Sequence, residues 1–394
     1  MKLLKLSKFK IFLLLFAFLF LLFDIPENKV YASANDDLKI SSKSAILVSF
    51  DSEDVVYEKN SNEKLPIASM TKVASLSVLL SYLDKGVIKE NDLVCVSEFA
   101  SSVGGSSAFL DAGSKYKVSD LVKSIIIASA NDSTVALAEY VSGSEENFVS
   151  KMNKLCVELG LENTHFSNAT GLPIDNHYST ASDLVKIYKT ICDNDLYKKY
   201  SKVWIDELIH PSGRKTELVN TNRLIRTYDG IDGGKTGYTD KARFCLTASA
   251  TRGETRFVGV VIGASDSKTR FSEMSKLFNF GFSNYENKIL VNKDVPVSVN
   301  TFKNSKKSIS IYPEKSLNKF TSKNENFEFS TGFEIYDLKA PIHQNDVVGK
   351  MFVFDKNNMV VDETNLIAGE SVAEIGFKEH FGKVIHLWWL CNFV

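Results

Sequence analysis

The sequence predicts an α+β protein: an antiparallel sheet flanked by helices, then a small all-β region, then a C-terminal amphipathic helix. Three observations predict it. Within residues 35–285, strand-like apolar runs stand on both sides of a long helical stretch, so the sheet must join segments distant in sequence. Between 291 and 375 the helical period gives way to short alternating runs in a Lys-, Asn- and Ser-rich composition. From 376 to 394 apolar residues return at helical spacing.

The first 34 residues stand apart. Lys2, Lys5, Lys8 and Lys10 precede thirteen uncharged residues, Ile11 to Phe23, and Ala32-Ser33-Ala34 follows. As a helix the apolar run is roughly 20 Å long, too short for a ~30 Å hydrocarbon core. The layout is that of a secretory signal peptide, so the chain is expected to be exported. Next come two strands, Ala45–Phe50 and Val55–Glu58, around a turn at Asp51-Ser52-Glu53-Asp54. A helix is expected from Met70 to Leu83, with Val73, Leu76, Leu80 and Leu83 on one face and Gly86 ending it. Residues 119–193 read as several helices. Ser119 is a candidate N-cap, Gly171-Leu172-Pro173 a break, and Thr180 or Ser182 the cap of the helix that follows.

Ala242–Ala250 and Thr255–Ile262 read as strands joined at Arg252-Gly253-Glu254, and Asp266–Phe282 as a helix. In the β-rich region the strand candidates are Ser308–Tyr312, Phe327–Phe329, Lys350–Phe354 and Met359–Val361, with a hairpin turn at Asp355-Lys356-Asn357-Asn358. In the tail, Phe377, Phe381, Val384, Ile385 and Trp388 share a face opposite Lys378, Glu379, Lys383 and His386, ahead of Leu387-Trp388-Trp389-Leu390. That pattern suits a membrane surface, the alternative being a helix docked on the protein's own core.

Composition bounds the function. The chain has 394 residues, 47 basic and 48 acidic, with 44% hydrophobic and 24% charged side chains. Without residues 1–34 the balance is 42 to 46, a net charge of −4. No electrostatic footprint for nucleic acid is present. A mean hydropathy of −0.08 and one apolar run exclude a polytopic membrane protein. Five cysteines, Cys95, Cys156, Cys192, Cys245 and Cys391, form no CxxC and read as small buried hydrophobes rather than a disulfide framework. The six histidines lack ligand spacing, so no metal site is expected, and no cofactor is implied.

The chemistry concentrates in three short motifs. In Ser69-Met70-Thr71-Lys72 a serine opens a predicted helix and a lysine follows at i+3, on the same face. A serine nucleophile needs a base, and a lysine serves once burial or a second cation lowers its pKa. Ser-x-x-Lys alone is weak: it occurs seven times here. Ser129-Ala130-Asn131 follows the apolar stretch Leu121–Ala128, and Lys235-Thr236-Gly237 occurs once, after Gly233 and Gly234. The three stand in this order, sixty and then 106 residues apart, at a helix start, an inter-helix loop and an edge strand.

On these residues the chain resembles the serine D-alanyl-D-alanine carboxypeptidases, the low-molecular-mass penicillin-binding proteins. Ser129-Ala130-Asn131-Asp132-Ser133 leading into Ala136-Leu137-Ala138, Phe166-Ser167-Asn168-Ala169-Thr170-Gly171-Leu172, His177-Tyr178-Ser179-Thr180-Ala181 and Gly234-Lys235-Thr236-Gly237-Tyr238-Thr239 extend the likeness over residues 35–285. The resemblance implies a β-lactamase/transpeptidase-like domain at 35–285, a β-rich domain at 291–375 and an anchor helix at 376–394. It implies peptidoglycan stem peptides as substrates, β-lactams as covalent inhibitors, and a place on the extracytoplasmic face of the membrane.

It further implies that Ser69 attacks the penultimate D-Ala carbonyl with Lys72 as proton acceptor. Ser129 would pass a proton to the departing D-Ala, and Asn131 would hold the substrate amide. Lys235 and Thr236 would receive the terminal carboxylate, and Gly237 would let the substrate backbone lie close. The N–H groups of Ser69 and Tyr238 would form the oxyanion hole. His177 reads as a buried histidine satisfying a loop. Two rivals stand beside this reading. A β-lactamase would need a glutamate-activated water, and no Glu-x-x-Leu-Asn stands between the second and third motifs. A catalytically silent cell-wall-binding protein would not need all three motifs intact.

Overall fold

A computed structural model describes residues 38–376 and Phe381; the predicted leader and almost all of the predicted tail lie outside the described residues. The chain divides into two compact units, one running to Ser249 with Val258–Leu277, the other comprising Ala250–Phe257 with the chain from Phe278 onward.

The first unit is built on a sheet that joins the two ends of its sequence. Strands β1 (Ser44–Ser49) and β2 (Val55–Lys59) form an antiparallel hairpin. Short pairs β3 (Leu93–Cys95) with β4 (Lys115–Lys117), and β5 (Ile205–Ile209) with β6 (Lys215–Val219), decorate the helical region. After it come β7 (Ile231–Thr239), β8 (Arg243–Arg252) and β9 (Thr255–Ala264), giving the order β2-β1-β9-β8-β7. All six residues of β1 are buried, which is why Ser44–Ser49 reads as an apolar run rather than an alternation. β7 is an edge strand and carries the third motif.

The helices are α1 (Lys72–Asp84), α2 (Glu98–Ser102), α3 (Val118–Ala128), α4 (Asn131–Ser142), α5 (Glu145–Glu158), α6 (Ala181–Cys192), α7 (Asp195–Ser201), α8 (Leu224–Thr227) and α9 (Ser267–Asn284). Every α1 residue from Lys72 to Leu80 is buried, so this helix is apolar nearly all round. Leu76, Leu79 and Leu80 are at most 2% exposed, each contributing about 1.5–3 kcal/mol of burial. α3 begins at Val118 with no side-chain cap, where Ser119 was expected. The reason is that its first N–H groups are taken by the backbone: Val118 N donates to Asp92 O and Ser119 N to Glu90 O, both at 3.0 Å. Thr180 does cap α6, accepting from Asp183 N at 3.0 Å.

The second unit is all β apart from its share of α9. β10 (Tyr285–Val291) pairs with β13 (Leu317–Ser322). β11 (Ser298–Asn300), β12 (Ile309–Pro313), β14 (Phe329–Ile335), β15 (Val347–Asp355) and β16 (Val360–Ala368) form a sheet in the order β11-β12-β16-β15-β14. Ile311, Val353 and Leu366 are fully buried in its core. The expected turn at 355–358 joins β15 to β16, with the Asp355 carboxylate accepting from Asn357 N and Met359 N at 2.9 Å. The strand expected at Phe327–Phe329 instead starts at Phe329 and runs to Ile335. Its Phe333 is half exposed, so period-2 alternation does not mark it.

Candidate active site

The nucleophile motif is not the start of a single α-helix. Ala68–Thr71 form a 3₁₀ turn that runs into α1 at Lys72. Ala68 has φ 50°, a left-handed conformation that a non-glycine residue holds only when its surroundings impose it. Thr71 Oγ1 donates to Ala68 O at 2.8 Å, and His177 Nε2 lies 2.7 Å from the same hydroxyl. Ser167 N donates to His177 Nδ1 at 3.1 Å, so the ring proton sits on Nε2 and points at Thr71. Gly171, at φ 83°, closes the other side: a Cβ there would stand 2.0 Å from Ala68 O. Burial first, then the nearby His165, lowers the His177 pKa to about 4 and keeps the ring neutral.

Two serine–lysine pairs meet in this region. Lys72 Nζ lies 3.0 Å from Ser69 Oγ and donates to Thr170 O at 2.8 Å. Lys235 Nζ lies 2.7 Å from Ser129 Oγ and 3.0 Å from Thr236 O. Lys72 is fully buried and Lys235 is 3% exposed. Burial, then the charge of Lys235, holds Lys72 well below the ordinary lysine range, with Asp132 opposing. Burial and then Arg270 bring Lys235 down to about 7. Ser129 occupies the C-cap of α3 at φ 63°, which turns its hydroxyl off the helix toward Lys235.

The other expected residues surround these pairs. Asn131, the first residue of α4, is 3% exposed. Its Nδ2 donates to Gly104 O at 2.6 Å, and its buried Oδ1 has no partner. An orphaned buried acceptor is costly unless something arrives to use it. Thr236 Oγ1 lies 2.7 Å from Thr221 Oγ1. Gly237 also packs closely against the chain itself. A Cβ there would stand 2.6 Å from Ile67 O and 3.2 Å from Met70 N, so the missing side chain lets β7 lie against the nucleophile turn. The Tyr238 side chain faces outward, with its hydroxyl on Asp240 at 2.9 Å and its ring 4.4 Å from Phe244.

Three residues were not singled out from the sequence. Arg270 is 7% exposed and donates to Gly237 O at 3.3 Å and Cys245 O at 3.2 Å, placing a cation behind β7. Asp132 is fully buried and accepts from Ser107 Oγ and from the N–H groups of Ala108 and Leu110, fixing the loop that carries Gly104. Asn168 Oδ1 accepts from Gly171 N at 2.7 Å and shapes the loop whose Thr170 carbonyl holds Lys72. Asp132 and Asn168 lie in stretches whose likeness to the family is legible; Arg270 lies in a helix with no motif of its own.

Comparison with known proteins agrees with this geometry. A family model described as D-alanyl-D-alanine carboxypeptidase matches residues 29–266, and one described as penicillin-binding protein 5, C-terminal domain, matches 285–374. The chain is 40% identical over 355 residues to the D-alanyl-D-alanine carboxypeptidase DacF of Bacillus subtilis, covering 89% of this chain and 91% of the relative. It is 32% identical over 357 residues to DacA of Escherichia coli, covering 88% and 87%. The solved structure of penicillin binding protein 5 from Haemophilus influenzae is similar with a TM-score of 0.65 and 29% identity, over 85% of this chain and 98% of that one.

Proposed function

We propose how these residues divide the work from one premise: the chain belongs to the D-alanyl-D-alanine carboxypeptidase family and has that family's serine hydrolase activity. The substrate is the peptidoglycan stem pentapeptide, and the bond cut is the terminal D-Ala–D-Ala amide. Neutral Lys72 Nζ takes the Ser69 proton as Oγ attacks the carbonyl carbon. The N–H groups of Ser69 and Tyr238 meet the developing oxyanion; one such donor is worth about 10²–10³ in rate. Lys235 and Thr236 hold the terminal carboxylate, and Asn131 Oδ1 accepts the substrate amide N–H. As the C–N bond breaks, Ser129 gives the leaving amine a proton and is resupplied by Lys235. Water then attacks the acyl carbon and gives its proton through Ser129 to the neutral Lys235, while Lys72 returns its proton to the departing Ser69 Oγ, so both lysines and Ser69 regain their starting states.

The observation that carries this reading is the pairing of each motif serine with its own buried lysine. Action on peptidoglycan puts the work outside the cytoplasm, and a β-lactam acylating Ser69 is the corresponding inhibited state. We also propose residues 35–285 as the catalytic domain, 291–375 as a β-rich domain, 1–34 as an export signal and 376–394 as an interfacial membrane anchor. The charge and aromatic patterns of the two ends support these last assignments. The test is D-alanine release from a stem pentapeptide by the purified protein and by Ser69→Ala. Release that disappears in the variant is the expected result; no release by folded wild type would overturn the reading.

A further inference from the structure

Beside the carboxylate end of the site lies a cavity of about 630 Å³, walled by Trp204, Thr221, Arg223, Arg226, Ser267 and Arg270 among others. It adjoins the site through the Thr221–Thr236 hydrogen bond and through Arg270, which reaches behind Gly237. Three arginines line this one hollow. Arg226 is held 5.1 Å over the Trp204 ring. Among the described residues neither Arg223 nor Arg226 forms an ion pair, and the buried Nε of Arg270 has no hydrogen-bond partner. Cations gathered without a carboxylate repel one another, and an anion in the hollow removes that cost. Arginine suits the task because its planar fork matches a carboxylate.

Resting on the carboxypeptidase reading, we propose that this cavity is a subsite for a second carboxylate carried by the leaving group, beyond the terminal carboxylate held by Lys235 and Thr236. The ligand class is an acidic D-amino acid or a carboxylate-bearing peptide amine leaving from the penultimate D-Ala. The cavity is also far larger than one alanine requires. Arg223 and Arg226 are thus specificity-determining residues that select the leaving group and take no part in acyl transfer.

The test uses three diacetyl-lysyl peptides ending in D-Ala–D-Ala, D-Ala–D-Glu and D-Ala–D-Gln. The last two are isosteric, so the ratio of their kcat/KM values reports charge alone and cancels any loss common to both. Wild type should favour D-Glu over D-Gln about tenfold, equivalent to about 1.4 kcal/mol. The Arg223→Ala/Arg226→Ala double variant should bring the ratio near one, and the exposed charge reversal Arg226→Glu should invert it. Cleavage of D-Ala–D-Ala with a wild-type ratio near one, or a ratio unmoved by these substitutions, overturns the subsite alone. No cleavage of any of the three by wild type overturns the carboxypeptidase reading and the subsite with it.

Discussion

At the scale of residues, the proposed mechanism requires two lysines in different protonation states. Lys72 must be neutral to take a proton, and full burial beside Lys235 makes it so. Lys235 must be charged to hold a carboxylate, and its pKa of about 7 sets the limit. Above that value kcat/KM should fall roughly tenfold per pH unit as Lys235 loses its proton, and the limb for kcat should lie at higher pH because a bound carboxylate favours the charged form. A rate profile flat to pH 10 would contradict the assignment. His177 is the second titrating group with a consequence. Its pKa falls from an ordinary 6.5 to about 4 on folding, so between those values the unfolded chain binds more protons. Its contribution is complete above pH 6.5 and is lost as pH falls toward 4, by at most ~3 kcal/mol. The stability difference between wild type and His177→Gln, measured by urea unfolding, should therefore shrink from pH 7 to pH 4.

At the scale of elements, the turn Ala68–Thr71 is clamped by one distant loop, the connection 159–180 between α5 and α6. Ala68 keeps a left-handed φ because Thr71, His177 and Gly171 press on it. Gly171→Ala should cost more than about 3 kcal/mol and slow acylation by penicillin, since both φ and space forbid the methyl group. Gly143 at the end of α4 has φ 80° with open space around it, so Gly143→Ala should cost only about 1 kcal/mol. Equal losses in thermal unfolding would show that close packing at Gly171 is unimportant. Most long elements were legible from periodicity: β1, β8, β9, α1 and α9 fall within a few residues of expectation. The 3₁₀ turn before Lys72 and the backbone-satisfied start of α3 were not, because both depend on carbonyls supplied from elsewhere in the chain. The short pairs β3–β4 and β5–β6 bury only one residue per strand, Val94, Tyr116, Leu208 and Leu218, too few to be read as an alternation.

At the scale of the molecule, motif order marked the candidate site and tertiary contact brings its residues together. Ser69, Ser129 and Lys235 lie up to 166 residues apart yet end in one hydrogen-bonded region, joined by the sheet order that sets β7 beside the nucleophile turn. Arg270 and the orphaned Asn131 Oδ1 could not be read from sequence, since their meaning comes from what surrounds them. The core of the second unit shares no residue with the site. Leu366→Ala, fully buried there, should lower stability by about 2–5 kcal/mol while leaving the rate of penicillin acylation unchanged. A matching loss of acylation in folded protein would contradict that independence. The central claim is that Ser69 is the acylated nucleophile activated by Lys72, and mass-spectrometric mapping of a benzylpenicillin adduct tests it most directly. A single penicilloyl group on the peptide containing Ser69, absent from Ser69→Ala and formed far more slowly by Lys72→Ala, is the predicted result; an adduct on any other residue, or undiminished acylation of Lys72→Ala, would contradict it.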